Sequence, residues 1–146
     1  MLRIIPPEVV RPLSVKLPLS KSIANRLMVI RFLADGSIYS DEPDCDDTRI
    51  MHTLIRQLNS LPDSDTFNAG DAGTVFRFMA ALMAVTPGTR LLTGSSRMLQ
   101  RPVGPLVDAL AKLGVIIEYQ GNHGFPPVKI SGGSLKGGSI RIDSSV

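Results

Sequence analysis

Three short segments put cations or bare backbone where a helix begins. The first is Ser20-Lys21-Ser22, with Arg26 one turn further on. A helix N-terminus offers unpaired N–H groups and a partial positive charge, so a lysine flanked by two hydroxyls there can hold a phosphate or a carboxylate. At spacings of three and four, Lys21 and Ser22 can share one face with Asn25 and Arg26. The alternative is a capped surface helix with solvated charges. The segment is not a P-loop, because no glycine stands at the required positions before Lys21.

The second segment is Gly70-Asp71-Ala72-Gly73-Thr74-Val75-Phe76-Arg77. Glycine lets backbone approach a ligand closely where a helix starts. Arg77 is the one charge in an otherwise apolar helix and needs a partner, either Asp71 through a capping contact or a bound anion. The third segment, Ser95-Ser96-Arg97-Met98-Leu99-Gln100-Arg101-Pro102, carries two arginines just before a helix. Proline at 102 pushes Arg101 into an extended conformation, which aims its planar fork; the alternative is an exposed basic loop. Together the three segments point to a ligand with at least two anionic groups.

Composition narrows the classes. Lys plus Arg number 16 and Asp plus Glu 13, a net charge of +3. That mild excess fits an anionic small molecule better than nucleic acid, which calls for massed cations interleaved with aromatics, and tryptophan is absent here. A single cysteine, Cys45, excludes an internal disulfide and fits a reducing intracellular compartment. Cys45, His52 and His123 have no paired-ligand spacing, so no metal site is expected. The longest unbroken apolar run, Phe78 to Val85, is eight residues, far short of the ~20 that span a bilayer. The first residues lack the apolar stretch and small-residue cleavage site of a signal peptide.

The elements that position these segments alternate. Leu2 to Ile5 and Leu13 to Leu17 read as short strands between prolines, and Ser20 as the N-cap of a helix over Lys21 to Ala34 closed by Asp35-Gly36. Ile23, Leu27, Ile30 and Ala34, with Leu33 beside them, form the expected apolar stripe. A brief strand over Ser37 to Ser40 follows. Asp44 to Asp47 then supply acid to a helix reaching Leu58, striped by Ile50, Leu54, Ile55 and Leu58. Asp65 to Ala69 is a weak strand, and Thr74 to Val85 a helix apolar almost all round, hence buried on most faces. Thr89 to Thr93 reads as a strand, Val103 to Leu113 as a helix, and Val115 to Tyr119, Val128 to Ser131 and Ser139 to Ile142 as strands. The whole is α/β, an alternation that gives way to hairpins rather than a plain doubly wound sheet.

The motifs also resemble a known family. Leu17-Pro18-Leu19-Ser20-Lys21-Ser22-Ile23-Ala24-Asn25-Arg26 closely resembles the opening signature of the 3-phosphoshikimate 1-carboxyvinyltransferases, or EPSP synthases. The match continues in order through Asp46-Asp47-Thr48-Arg49, Ala72-Gly73-Thr74, Arg77-Phe78, Arg97-Met98 and Arg101-Pro102-Val103-Gly104. It ends with Leu106-Val107-Asp108-Ala109-Leu110, Phe125-Pro126-Pro127 and Leu135-Lys136-Gly137-Gly138. The ordered set is specific where no single piece is. The related UDP-N-acetylglucosamine enolpyruvyl transferases usually have Lys-Asn at the Lys21-Ser22 position. They also often carry a reactive cysteine in the loop matching Ser95 to Arg101, where this chain has none.

The resemblance implies an incomplete enolpyruvyl transferase fold of βαβαββ-like units. Residues 1–12 would form a strand of the other globe of a longer, monomeric enzyme, and residues 13–146 a partial N-terminal domain. It implies transfer of the enolpyruvyl group of phosphoenolpyruvate to the 5-hydroxyl of shikimate 3-phosphate, with phosphate released, in the cytoplasm and without metal or organic cofactor. Lys21 would be catalytic and touch both substrates; Ser22 and Arg26 would hold shikimate 3-phosphate. Gly73 and Arg101 would line the phosphoenolpyruvate side, where glyphosate also sits in this family, with Thr74 and Arg77 in support. The family's phosphate-gripping Ser-Ser-Gln falls after Val146 in the best register, so the chain alone is expected to be inactive. Three features depart from the family: Leu19 for a small residue, Asp71 for a common Asn, and a short connection from Leu58 to Asp65. The alternative is an anion-binding or regulatory module that keeps the fold without catalysis, and a blander one is a scaffold with no ligand.

Overall fold

A computed structural model describes residues 14, 20–37, 45–60, 66–133 and 135–142. The expected strands at Leu2 to Ile5 and Leu13 to Leu17, Leu19, the strand beyond Ser37 and most of the connection after Leu58 lie outside these residues. In chain order come helices α1 (Lys21–Asp35) and α2 (Asp46–Ser60), strand β1 (Thr66–Asn68), helix α3 (Gly73–Val85) and strand β2 (Gly88–Thr93). A 3-10 turn at Met98–Gln100 leads to helix α4 (Gly104–Lys112), then strands β3 (Ile116–Tyr119) and β4 (Val128–Gly132).

The four strands form one sheet in the order β1-β2-β4-β3. β1 and β2 are parallel, with Phe67 opposite Leu92, and α3 is the crossover between them. A parallel pair needs such a crossover, whereas an antiparallel pair can close through a short turn. β4 runs antiparallel to both β2 and β3. The structure is therefore α/β, with the alternation ending in an antiparallel hairpin.

Helix α3 is the centre of the core. β2 and β4 cover one side of it, and α1, α2 and α4 also pack against it. Val75, Phe76, Met79, Ala80, Leu82, Met83 and Ala84 are all buried, as the nearly continuous apolar sequence of this helix requires. α2 adds Met51, Leu54, Ile55 and Leu58, with Ile50 packed at the margin. No helix among the described residues is long and apolar enough to cross a membrane.

Two expectations are overturned. The stripe expected to bury α1 is the outward one: Ile23, Ile30 and Leu33 are exposed, while Ala24 and Met28 are buried and Val29 and Phe32 pack beside them. Ala24, Met28 and Phe32 have the same four-residue spacing, so periodicity could not choose between two apolar faces. The side bearing small Ala24 is the one laid against α2 and α3. Ser139 to Ile142 forms no strand. Lys136 donates its backbone N–H to the Leu113 carbonyl at 2.9 Å, which ties the segment to the end of α4 rather than to the sheet.

Candidate anion-binding site

The loop from β1 into α3 is shaped by local polar contacts. Asn68 Oδ1 accepts the Gly70 N–H at 2.9 Å, an Asx turn, and the Ala69 N–H reaches the Thr93 carbonyl at the end of β2. α3 then begins with Ala72 at the N-cap, no side-chain cap and no acidic residue in its first turn. Its positive end is left to other partners, and two guanidinium groups crowd it. A Cβ on Gly73 would lie 2.8 Å from Arg101 Nη1 and 3.1 Å from Arg77 Nη1. Glycine at 73 lets those two guanidinium groups come this close, and a side chain there would push them aside.

Arg101 adopts an extended backbone, φ −92° and ψ 129°, as expected before proline. Its Nη1 donates to the Asp71 carbonyl at 3.2 Å. Arg77 Nη1 donates to the Gly73 carbonyl at 3.0 Å, and Nη2 sits 3.5 Å from the Pro102 carbonyl. Neither guanidinium forms an ion pair with a carboxylate among the described residues. Asp71 is therefore not the partner of Arg77. Its carboxylate instead accepts the Ser95 hydroxyl, because the loop after β2 comes to lie beside it. The other arginine of that loop, Arg97, stays exposed.

The second cluster stands at the start of α1. Ser20 caps through its carbonyl, which accepts the N–H groups of Ile23 and Ala24, and not through its hydroxyl. Arg26 Nη1 donates to the Ser22 carbonyl at 2.9 Å and to its hydroxyl oxygen. The Arg26 guanidinium carbon lies 5.7 Å from the ring centre of Phe78, a cation–π contact that joins α1 to α3 one residue beyond Arg77. Lys21 Nζ pairs with Asp47 on α2 at 3.0 Å.

Sequence spacing thus brings together Lys21, Ser22 and Arg26 on one helix start, and tertiary packing brings together Gly73, Arg77 and Arg101 on another, with exposed Thr74 beside them. Asn25 does not join the first cluster: it is fully buried and its carboxamide has no hydrogen-bond partner among the described residues. Asp47 and Ser95 carry no sequence signal that marks them as partners of Lys21 and Asp71. Asp47 reads in sequence only as an acid suited to the first turn of a helix, and Ser95 as one polar residue of a basic turn.

Guanidinium groups that meet carbonyls and no carboxylate among the described residues, beside an uncapped helix start and a glycine, suit an anion with several oxygens. Held in place before a ligand arrives, such donors need no reorganisation when charge develops.

The sequence pattern of the family described as EPSP synthase (3-phosphoshikimate 1-carboxyvinyltransferase) matches residues 59–146. A 3-phosphoshikimate 1-carboxyvinyltransferase of Bacteroides fragilis is 42% identical over 134 residues, covering 91% of this chain and 32% of its own. One from Bordetella parapertussis is 39% identical over 153 residues, covering 90% and 34%. The chain therefore spans about a third of the length of these relatives. In structure it is similar to EPSP synthase from Acinetobacter baumannii, with TM-scores of 0.64 and 0.66 in two solved structures. Those cover 82% and 86% of this chain and 32% and 34% of theirs, at 20% and 22% identity, a likeness of fold.

Proposed function

The chain belongs to the EPSP synthase family, and we propose that it supplies one side of an enolpyruvyl transferase site, binding shikimate 3-phosphate and phosphoenolpyruvate. The observation that supports this most is the pair of guanidinium groups, Arg77 and Arg101, drawn onto Gly73 at the start of α3 with no carboxylate paired to either among the described residues. In this reading Gly73 and Arg101 take the phosphoenolpyruvate side, with Thr74 and Arg77 in support. Ser22 and Arg26 hold the 3-phosphate of the acceptor, and Lys21 reaches both substrates. The 5-hydroxyl oxygen adds to the enolpyruvyl carbon, losing its proton while the methylene carbon gains one, and a tetrahedral ketal forms; loss of a methyl proton together with phosphate then restores the double bond. Fixed cations hold the anionic groups of both substrates and stabilise the negative charge that builds on the phosphate as it leaves.

The named groups all stand on one side of such a pair of substrates. Positioning and water exclusion need groups on the other side as well, so the 146 residues by themselves bind without turning over. The mild charge and lone cysteine support a cytoplasmic enzyme with small-molecule ligands and no nucleic-acid partner; the family-length protein is proposed to be a monomer.

The test is a titration of the ¹⁵N-labelled chain with shikimate 3-phosphate. Amide shifts should move in the first turn of α1, and Lys21→Ala and Arg26→Ala should each weaken the response. An unresponsive first turn, or variants that titrate like the parent, would overturn the assignment. A phosphate-release assay with both substrates, run beside Lys21→Met, should show no turnover above that control.

A further inference from the structure

Ser95 is assigned to neither ligand, yet its hydroxyl sits between the two loops that form the α3 end of the site. It donates to the Asp71 carboxylate and accepts the Met98 N–H at 3.2 Å. Its backbone N–H reaches the Gly70 carbonyl at 3.0 Å, and its carbonyl accepts the Leu99 N–H at 2.9 Å. Ser95 therefore begins the short turn at Met98–Gln100 and pins that beginning to the loop before α3. The turn ends at Arg101, whose N–H closes on the Met98 carbonyl at 3.0 Å. Its guanidinium returns to the same loop, at the Asp71 carbonyl. The side chain of Asp71 thus holds the start of the turn while its carbonyl receives the arginine at the end.

We propose that Ser95 is a positioning residue for Arg101, acting through Asp71. The inference rests on the reading of Arg101 as an anion ligand. An arginine left free would lose the freedom of several rotatable bonds on binding, and fixing it beforehand removes that cost. Asp71 is exposed and Ser95 only half-buried, so their bond adds little to the core. What it restrains is the path of the chain to Arg101. The carboxylate of Asp71 serves here as an acceptor, a role that an Asn side-chain oxygen fills equally well.

The experiment uses the whole 146-residue chain in four forms: parent, Ser95→Ala, Asp71→Ala and Asp71→Asn. ¹⁵N relaxation of the Arg101 Nε–H is measured without ligand, followed by titration with phosphoenolpyruvate and, separately, shikimate 3-phosphate. Ser95→Ala and Asp71→Ala should set the Arg101 side chain into fast motion and raise the phosphoenolpyruvate Kd about ten-fold, with shikimate 3-phosphate unchanged. Asp71→Asn should keep Arg101 ordered and the affinity near that of the parent. An Arg101 side chain as ordered in Ser95→Ala as in the parent would overturn the proposal, whether or not any ligand binds. So would markedly tighter binding by Asp71→Asn, which would show that Asp71 acts through its charge. A loosened Arg101 in a protein that ignores phosphoenolpyruvate would uphold the positioning role and refute the ligand assignment instead.

Discussion

Arg101 Nη1 stands 2.8 Å from the point where a Cβ on Gly73 would be, closer than a side-chain carbon tolerates. The obstructing atom is the far end of a flexible side chain, so a methyl group there displaces the guanidinium rather than the helix. Gly73→Ala should leave the stability within about 1 kcal/mol of the parent and weaken phosphoenolpyruvate by about 1–2 kcal/mol. Thermal melts and a ligand titration measure the two effects separately; a large fall in melting temperature with unchanged affinity would contradict the geometry.

Arg101→Ala, placed in a family-length protein, should weaken phosphoenolpyruvate far more than shikimate 3-phosphate. The lost contact is charge-assisted, which puts the cost at about 1.5–3 kcal/mol on one substrate. Equal losses for both substrates in steady-state kinetics would refute the assignment.

Arg90 on β2 is nearly fully buried, and its guanidinium donates to the Pro87 carbonyl at 2.9 Å and toward the Thr86 carbonyl at 3.4 Å, just past α3. Removing it takes away these two contacts and the packing of its buried stem. Arg90→Ala should cost about 1–3 kcal/mol of stability, read by urea unfolding, with the ligand titrations unchanged in the folded protein.

Tyr119 has a buried hydroxyl with no hydrogen-bond partner among the described residues. Burial, and secondarily the charge of Asp108, raise its pKa above the usual 10.0. The folded state therefore favours the neutral phenol. That contribution is fully present below the unfolded pKa and is lost as pH rises through the folded one. Tyr119→Phe should match the parent or gain up to about 1 kcal/mol at neutral pH, and should lose less stability than the parent above pH ~10. A loss of more than about 1 kcal/mol at neutral pH would mean that the hydroxyl is bonded.

Much of the site was legible because its signals are local. Ser22 and Arg26 are four apart on one helix, so spacing alone brings them into contact. Pro102 dictates the extended backbone of Arg101 through a clash with its immediate neighbour. The nearly unbroken apolar run of α3 announces a helix covered on most sides, and the alternation of elements announces the parallel pair bridged by α3.

Other features turn on which groups long-range packing brings together. Two apolar faces of α1 have the same period, and only contact with α2 and α3 selects the one with Ala24 and Met28. Sequence offers Arg77 either Asp71 or an anion; the docking of the loop after β2 gives Asp71 to Ser95, and Arg77 donates to backbone carbonyls. Lys21 finds Asp47 across two helices. Ser139 to Ile142 has the alternation of a strand, but strand formation needs a partner edge, and its neighbour Lys136 is bonded to the end of α4. The sequence by itself determined the four helices, the strands of the sheet and the family motifs, since these depend on residues within a turn or two. The tertiary structure decided which apolar face is buried and which cation meets which oxygen, because those choices depend on distances between groups far apart in the chain.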